Sequence, residues 1–260
     1  MKKIGFIGAG NMGGALAQAV SKKSECAVML TDKEMAKAAA LAEKIGAEAV
    51  SLDKICKECD YIFLGVKPNV ISSVIKDIGK PEGAVIVSMA AGVSTKKIEE
   101  AFGCDVPVIR IMPNTPASVG EGMILVCSNS LSGKYTDEFM GIMSEAGTLD
   151  IIDEKLIDAA SAISGCGPAF VYMYIEALAD GGVECGLPRD KAMLYAAKTL
   201  VGAARLVLET GEHPGKLKDA VCSPGGSTIA GVHALERGKL RSAASDAVVA
   251  AYEKTLKLGK

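Results

Sequence analysis

Residues 3–13 read KIGFIGAGNMG, a short apolar run that leads into three glycines at the spacing G-x-G-x-x-G. The run predicts a strand, and the glycines predict a tight turn into a helix. Such a turn brings backbone N–H groups close to the pyrophosphate of a dinucleotide, at the positive end of the helix. The stretch therefore predicts the start of a dinucleotide-binding domain, with a glycine turn that binds nothing as the alternative.

An acidic residue is expected at the end of the second strand of such a domain, where it holds a ribose hydroxyl. Asp32 lies 19 residues after Gly13, at the end of an apolar run, as this role requires. Its carboxylate favours NADH because it repels the 2′-phosphate of NADPH, whereas the flanking Thr31 and Lys33 could bind that phosphate. The sequence leaves this choice open, and an N-cap role for Asp32 remains the alternative.

Apolar runs and helical patterns alternate through residues 1–152. The strand-like runs are 3–7, 27–30, 61–66, 84–88, 106–111 and 123–127, and helical patterns cover 13–22, 33–44, 69–78 and 95–102. This alternation predicts an α/β domain of the Rossmann type, a doubly wound parallel sheet with helices on both faces. Loops of small residues at 65–68, 88–92 and 112–116 follow three of the strands, where this fold binds ligands.

The remaining residues, 153–260, contain no strand pattern and consist of long helical segments. The segment 189–210 carries only three charges in its interior, Lys191, Lys198 and Arg205, at seven-residue spacing. A helix that is apolar on nearly all sides must be buried. We therefore predict a dinucleotide-binding domain at 1–152, followed by an all-helical dimerisation domain at 153–260.

The composition excludes several other classes of protein. The 260 residues are 49% hydrophobic and 23% charged, and 29 basic against 31 acidic residues leave a net charge of −2. We expect a folded protein without a nucleic-acid or membrane partner.

The N-terminus has no secretory pattern, and the apolar run 159–175 is interrupted by glycine and proline. The eight cysteines include one C-x-x-C pair, Cys56 and Cys59, but no second pair or nearby histidines that a metal site would need. This predicts reduced thiols in a cytoplasmic protein with no metal.

A second glycine motif, SPGGST at 223–228, precedes another helical pattern. Free N–H groups and two hydroxyls at a helix start suit a small carboxylate, and a plain capped helix is the alternative. The residues directly after GCGP at 165–168 contain no lysine that could act as a base. His213 and His233 are interpreted as structural. A reaction without a strong protein base fits best, such as hydride addition to a protonated imine.

These segments together resemble the pyrroline-5-carboxylate reductases. The resemblance rests on GFIGAGNM at 5–12, VKP at 66–68, AAGV at 90–93, MPNTP at 112–116, GCGP at 165–168, and HPG through SPGGSTI at 213–229. It implies reduction of 1-pyrroline-5-carboxylate to L-proline with NAD(P)H, the last step of proline biosynthesis. It also implies a homodimer interlocked through the helical domain, with rings of dimers in some members.

The resemblance also implies which residues form the site. Cofactor contacts are expected from Gly8, Ala9, Gly10, Asn11, Met12, Thr31, Asp32, Val66, Lys67, Pro68, Met89, Ala90 and Ala91. Substrate contacts are expected from Val221, Ser223, Gly225, Gly226 and Thr228. Thr228 is the catalytic candidate, through a hydrogen bond to the ring nitrogen.

Two positions depart from the family pattern. Cys166 stands where serine is usual, and Leu52 stands where many members carry asparagine near the cofactor. Two other functions remain open: reduction of another small cyclic imine or keto acid, and dinucleotide sensing without catalysis.

Overall fold

A computed structural model describes residues 1–81 and 83–258, and within them strands occur only before residue 152. The strands are β1 (Lys2–Ile7), β2 (Cys26–Thr31), β3 (Glu48–Ala49), β4 (Tyr61–Leu64), β5 (Val85–Ser88), β6 (Val108–Met112), β7 (Gly122–Ser128) and β8 (Gly147–Ile151). The helices of the first part are α1 (Asn11–Val20), α2 (Met35–Ile45), α3 (Leu52–Glu58), α4 (Ile71–Ile78), α5 (Thr95–Phe102) and α6 (Thr136–Met143). The later helices are α7 (Glu154–Ser164), α8 (Gly167–Glu184), α9 (Arg189–Thr210), α10 (Pro214–Ala220), α11 (Ser227–Arg237) and α12 (Leu240–Leu258).

The strands form one sheet in the order β3-β2-β1-β4-β5-β6-β7-β8. The order runs outward from β1 in both directions, which confirms the predicted doubly wound fold. Successive side chains of a strand point to opposite faces of the sheet. Phe6 of β1 accordingly packs with Leu16 of α1, while its neighbour Ile7 belongs to the cluster that contains Ile75 of α4. Helices therefore cover both faces, and the apolar runs are buried on both sides.

The sheet is mixed, whereas the sequence pattern predicts a parallel one. Strand β7 runs antiparallel to β6, and β8 is parallel to β7. Only residues 113–121 connect β6 to β7, and they contain a short 3₁₀ turn, Thr115–Val119, in place of a crossover helix. A short connection can reverse the chain into an antiparallel neighbour, but a parallel neighbour needs a crossover of a dozen or more residues.

The chain divides into two compact units. The first comprises Met1–Pro168 and the C-terminal residues from Ala250, and the second comprises Ala169–Val249. Helix α7 belongs to the first unit because its Ile157 is buried against Leu125 and Cys127 of β7. The first unit, defined by packing, therefore extends past residue 152. The boundary between the two domains at residue 152 remains a prediction.

The second unit buries little apolar surface of its own. Its buried cluster consists of Ala179, Ala192 and Ala196. Helix α9 has the predicted bounds, but it is not buried within this single chain. Its large apolar side chains are exposed, among them Leu194 at 58%, Val201 at 55% and Leu208 at 83%. An exposed apolar face of this extent marks an interaction surface.

One stretch of the described residues, Glu154–Glu184, is long and apolar enough to cross a membrane by length and composition. This is weak evidence for a membrane span, because interface and core helices pass the same test. The stretch is also interrupted at residues 165 and 166, between α7 and α8.

Candidate active site

The predicted cofactor residues lie at the carboxyl edge of four adjacent parallel strands, β2, β1, β4 and β5. The strand order reverses its direction between β1 and β4, and open α/β sheets bind ligands at such a switch point. The glycine turn follows β1 directly, and the segment from Gly65 follows β4. These two segments therefore meet at the position where this fold leaves a crevice.

The glycine turn is built by close backbone contacts that no side chain could replace. Gly8 has a φ of +108°, and a Cβ there would lie 2.5 Å from the carbonyl oxygen of Gly65. A Cβ at Gly13 would lie 2.2 Å from the carbonyl oxygen of Gly8. Glycine is required at both positions, because such distances are well inside van der Waals contact.

Gly10 has a different role in the same turn. Gly10 is the N-cap of α1. A Cβ at this position would meet no atom within 4 Å, so the space next to Gly10 is open. In the described part of the chain no side chain caps α1, and its first turn contains no acidic residue. The N–H groups at this helix start therefore face a space that an anionic group can enter, and the residues present fit the pyrophosphate of a dinucleotide.

Asp32 is joined to this turn by a hydrogen bond. The N–H of Ala9 donates to Oδ2 of Asp32 at 2.8 Å, and the N–H of Glu34 donates to Oδ1 at 2.9 Å. The turn is also tied to β2 because the N–H of Gly8 donates to the carbonyl of Thr31 at 2.8 Å. The Thr31 side chain is buried, and its hydroxyl faces the sulfur of Met35. Of this pair, the Asp32 side chain is partly exposed, whereas that of Thr31 is buried.

The other predicted cofactor contacts occupy the loops after β4 and β5. Val66, Lys67 and Pro68 follow Gly65, with the Lys67 side chain exposed. Met89 and Ala91 are partly exposed after β5, whereas Ala90 is buried. Ala90 can therefore contact a ligand through its backbone at most.

Two buried polar residues, one in the third loop and one in the strand before it, were not identified from the sequence. Asn114 is buried, receives the N–H of Met123 at 2.9 Å and donates to the carbonyl of Ser164 at 2.9 Å. Arg110 of β6 is buried as well and binds Glu154 and Asp158 of α7. One signal for Arg110 was present, since a lone arginine inside the apolar run VIRIM at 108–112 requires a buried partner. Asn114 gives no comparable signal, because asparagine is ordinary in a loop.

A cleft of about 490 Å³ lies between α4 and α5, beside these loops. Ile71, Ile75 and Ile98 form its apolar wall, and Lys67 and Pro68 lie at its border with the cofactor loops. It contains no acidic or histidine side chain among its lining residues, so we assign it no chemistry.

The predicted substrate residues lie in the second unit, in the loop between α10 and α11. Gly225 has a φ of +68°, and the N–H of Gly226 donates to the carbonyl of Ser223 at 3.0 Å. Gly226 is the N-cap of α11, which no side chain caps in the described residues. Val221, Ser223 and Thr228 are exposed beside this turn. The loop thus has the open helix start and the two hydroxyls that a small carboxylate requires.

The two histidines are not arranged as catalytic bases. His213 is the N-cap of α10, and its Nδ1 accepts the N–H of Gly215 at 3.1 Å. His233 is exposed within α11. In the described residues no group of three or more His, Cys, Asp or Glu side chains could hold a metal ion.

A Rossmann-type sheet with this glycine turn, followed by an apolar helical unit, defines a dinucleotide-dependent oxidoreductase. Two family models match the chain: NADP oxidoreductase, coenzyme F420-dependent, over residues 3–92, and pyrroline-5-carboxylate reductase dimerisation over residues 154–258. The chain belongs to the pyrroline-5-carboxylate reductase family.

Relatives across kingdoms support this membership. The pyrroline-5-carboxylate reductase of Escherichia coli is 40% identical, covering 100% of this chain and 99% of that protein. The Arabidopsis thaliana protein of the same name is 39% identical, covering 99% and 96%. A crystal structure of Plasmodium falciparum pyrroline carboxylate reductase with NADP bound has a TM-score of 0.88 and 33% identity, covering 100% of this chain and 98% of that one.

Proposed function

We propose that this chain reduces 1-pyrroline-5-carboxylate to L-proline with NADPH or NADH as the hydride donor, the last step of proline biosynthesis. The observation that carries the proposal is the turn at Gly8, Gly10 and Asp32, where an open helix start and a carboxylate meet at the switch point. Membership of the family connects this cofactor site to the substrate and the reaction.

The residues at the carboxyl edge of the sheet bind and orient the cofactor. The first-turn N–H groups of α1, at Asn11 and Met12, hold the pyrophosphate, and Asp32 holds the adenosine ribose. The loops 66–68 and 89–91 line the remainder of its path. When bound, the reduced nicotinamide supplies the hydride.

The loop 221–228 binds the substrate. The N–H groups beside Gly225 and Gly226 hold its carboxylate, together with the hydroxyl of Ser223. The hydroxyl oxygen of Thr228 accepts a hydrogen bond from the protonated ring nitrogen, and Val221 contacts the ring. The substrate reacts as its protonated imine, so the imine carbon gains the hydride, the C=N double bond becomes a single bond and the ring nitrogen keeps its proton. No strong base is required, and the contribution of the chain is positioning.

We infer that the chain acts as a homodimer through its helical part, with a ring of dimers as the larger assembly, in the cytoplasm. The exposed apolar side chains of α9 support an interface there, as does the match of residues 154–258 to a dimerisation model. Eight free thiols are compatible with a reducing compartment.

The test is to mix the protein with 1-pyrroline-5-carboxylate and either NADPH or NADH and to follow the absorbance of the reduced nicotinamide. We expect oxidation of the cofactor and formation of proline. No oxidation with either cofactor would refute the proposal. A panel of cyclic imines with other ring sizes extends the test, because faster turnover of one of them would assign the chain a different substrate.

A further inference from the structure

The ribose end of the cofactor site contains one carboxylate in a fixed orientation. Both oxygens of Asp32 are held by backbone N–H groups, from Ala9 at 2.8 Å and from Glu34 at 2.9 Å. A carboxylate has about four acceptor positions, two on each oxygen. These two bonds fix the plane of the carboxylate and leave one acceptor position free on each oxygen.

Two parallel acceptor positions match a vicinal diol. The adenosine ribose of NADH carries adjacent 2′- and 3′-hydroxyls, and each can donate to one oxygen of Asp32. In NADPH the 2′-hydroxyl is replaced by a phosphate, which has no such donor and carries about two negative charges. The group that suits NADH therefore opposes NADPH through both hydrogen bonding and charge.

The surrounding residues do not compensate this repulsion. Thr31 is buried and its hydroxyl faces Met35, so it is not available to a phosphate. Lys37 is paired with Glu34, with Nζ and Oε1 2.7 Å apart, so this pair adds no net positive charge beside Asp32. Lys33 is the remaining cation of this segment, and it is exposed at the start of the loop.

We propose that Asp32 makes this chain select NADH over NADPH. The inference rests on the proposed function, since it names the cofactor of the same site. The selection comes from the geometry of one side chain at the end of β2.

The experiment measures the dissociation constants of NADH and NADPH by calorimetry on the full-length protein, without substrate. We expect NADH to bind at least about tenfold more tightly, because juxtaposed like charges oppose binding. Asp32→Ser should weaken NADH binding and bring the two constants to within about threefold of each other. Asp32→Asn keeps the size and one acceptor and provides a second variant in case the serine variant does not fold. The matched control is Lys33→Gln, which should leave the preference for NADH unchanged.

Equal or tighter binding of NADPH by the unmodified protein would overturn the inference. A second outcome would also overturn it: the unmodified protein binds NADPH more tightly than NADH, and Lys33→Gln loses NADPH binding while its NADH binding is unchanged. This outcome would assign the 2′-phosphate to Lys33. The proposed function fails separately. Tight NADH binding without turnover of 1-pyrroline-5-carboxylate refutes the reaction and keeps the selection, whereas turnover of this substrate together with tighter binding of NADPH keeps the reaction and refutes the selection.

Discussion

Gly8 and Gly10 belong to one motif, but they are glycines for different physical reasons. Gly8 needs its φ of +108° and its contact with the carbonyl of Gly65, so it is required by the fold. Gly10 faces open space with a φ of −74°, which any residue can adopt, so the fold does not require glycine there, and we infer that a ligand approaching the backbone does. The motif thus combines a structural requirement and a binding requirement two residues apart.

We predict that Gly8→Ala lowers the free energy of unfolding by about 2 kcal/mol or more, because an alanine there is strained and collides with backbone. Gly10→Ala should change the unfolding free energy by less than about 1 kcal/mol, since its methyl group meets no atom. It should nevertheless weaken dinucleotide binding. Denaturant titration measures the first quantity and calorimetry the second. A stable Gly8→Ala variant would contradict the geometry of the turn.

At the substrate loop, we predict that Thr228→Ala lowers turnover or substrate affinity by about tenfold, the effect of losing one hydrogen bond to a charged group. The dissociation constant for the cofactor should not change. Thr228→Ser keeps the hydroxyl and should retain most of the activity. Unchanged steady-state kinetics in Thr228→Ala would remove this residue from the site.

Two buried thiols predict how stability changes at alkaline pH. Burial raises the pKa of Cys59 to about 12 and that of Cys127 to about 12, from an ordinary value of 9.0. Between these values the unfolded chain loses each proton and the folded chain keeps it. The stabilisation is therefore complete below pH 9 and is lost as the pH rises toward 12, at about 1.4 kcal/mol per pH unit for each thiol.

Denaturant titrations at several pH values measure this slope. Cys127→Ala removes one of the two thiols and should make the slope shallower by about 1.4 kcal/mol per pH unit. Cys185 is exposed, so Cys185→Ala serves as the control for removing a thiol at the surface. An unchanged slope in Cys127→Ala would show that its thiol is accessible to solvent in the folded protein.

At the scale of elements, the sequence pattern identifies the strands that have a continuous apolar run and the helices that have an apolar face. Helix α5 has the predicted bounds, and the core strands differ from the prediction by one or two residues. The elements that were not predicted are β3, α3, α6 and β8. Strand β3 has only two residues, Glu48 and Ala49, and the residues of β8 are mostly exposed. The positions of these two strands are set by pairing with a neighbouring strand, and a local sequence pattern does not indicate that pairing.

Helix α7 is joined to the sheet through a buried arginine. The Arg110 side chain is only 3% exposed and binds Glu154, at 3.4 Å, and Asp158. Glu154 also receives the N–H of Thr95 at 2.7 Å and its hydroxyl at 2.8 Å. One cation thus holds two carboxylates of α7 and, through Glu154, the start of α5. Its Nε lacks a hydrogen-bond partner within the described residues.

We predict that Arg110→Met lowers the free energy of unfolding by about 3 kcal/mol, because it leaves two partly buried carboxylates without their counter-charge. The control is Arg189→Met. Arg189 pairs with Asp180, but both side chains are more than half exposed, so its loss should cost less than about 1 kcal/mol. Denaturant titration of both variants gives the comparison. Equal effects would mean that the network around Arg110 adds nothing beyond a surface ion pair.

At the scale of the whole molecule, the sequence is more informative about the cofactor edge than about the substrate loop. The turn, Asp32 and the strand-end loops are close in sequence to the strands that hold them, so the fold rule alone brings them to one edge. The substrate loop belongs to a different unit of the same chain; its residues predict a small-carboxylate site, but the particular substrate was inferred from resemblance. Arg110 and Asn114 were missed because each has a partner on α7 that lies more than 40 residues away in the sequence.

Helix α9 predicts that the functional molecule contains more than one chain. Leu194, Val201 and Leu208 recur every seven residues and therefore lie along one face of the helix, where each is more than half exposed. Burying three such side chains against a second copy contributes about 2 kcal/mol each. We predict a sedimentation mass of at least twice the 26.8 kDa of one chain, and a melting temperature that rises with protein concentration.

A charge on that face tests which surface forms the interface. Val201→Glu places a carboxylate in the centre of the stripe, so we expect it to shift the mass toward that of one chain and to abolish the concentration dependence of melting. The control is Lys76→Glu, which adds a carboxylate on the exposed side of α4 in the first unit and should leave the assembly intact. A single-chain mass for the unmodified protein at micromolar concentration would contradict the interface. If Val201→Glu were still a dimer with unchanged melting, association would have to use another face of the helical unit.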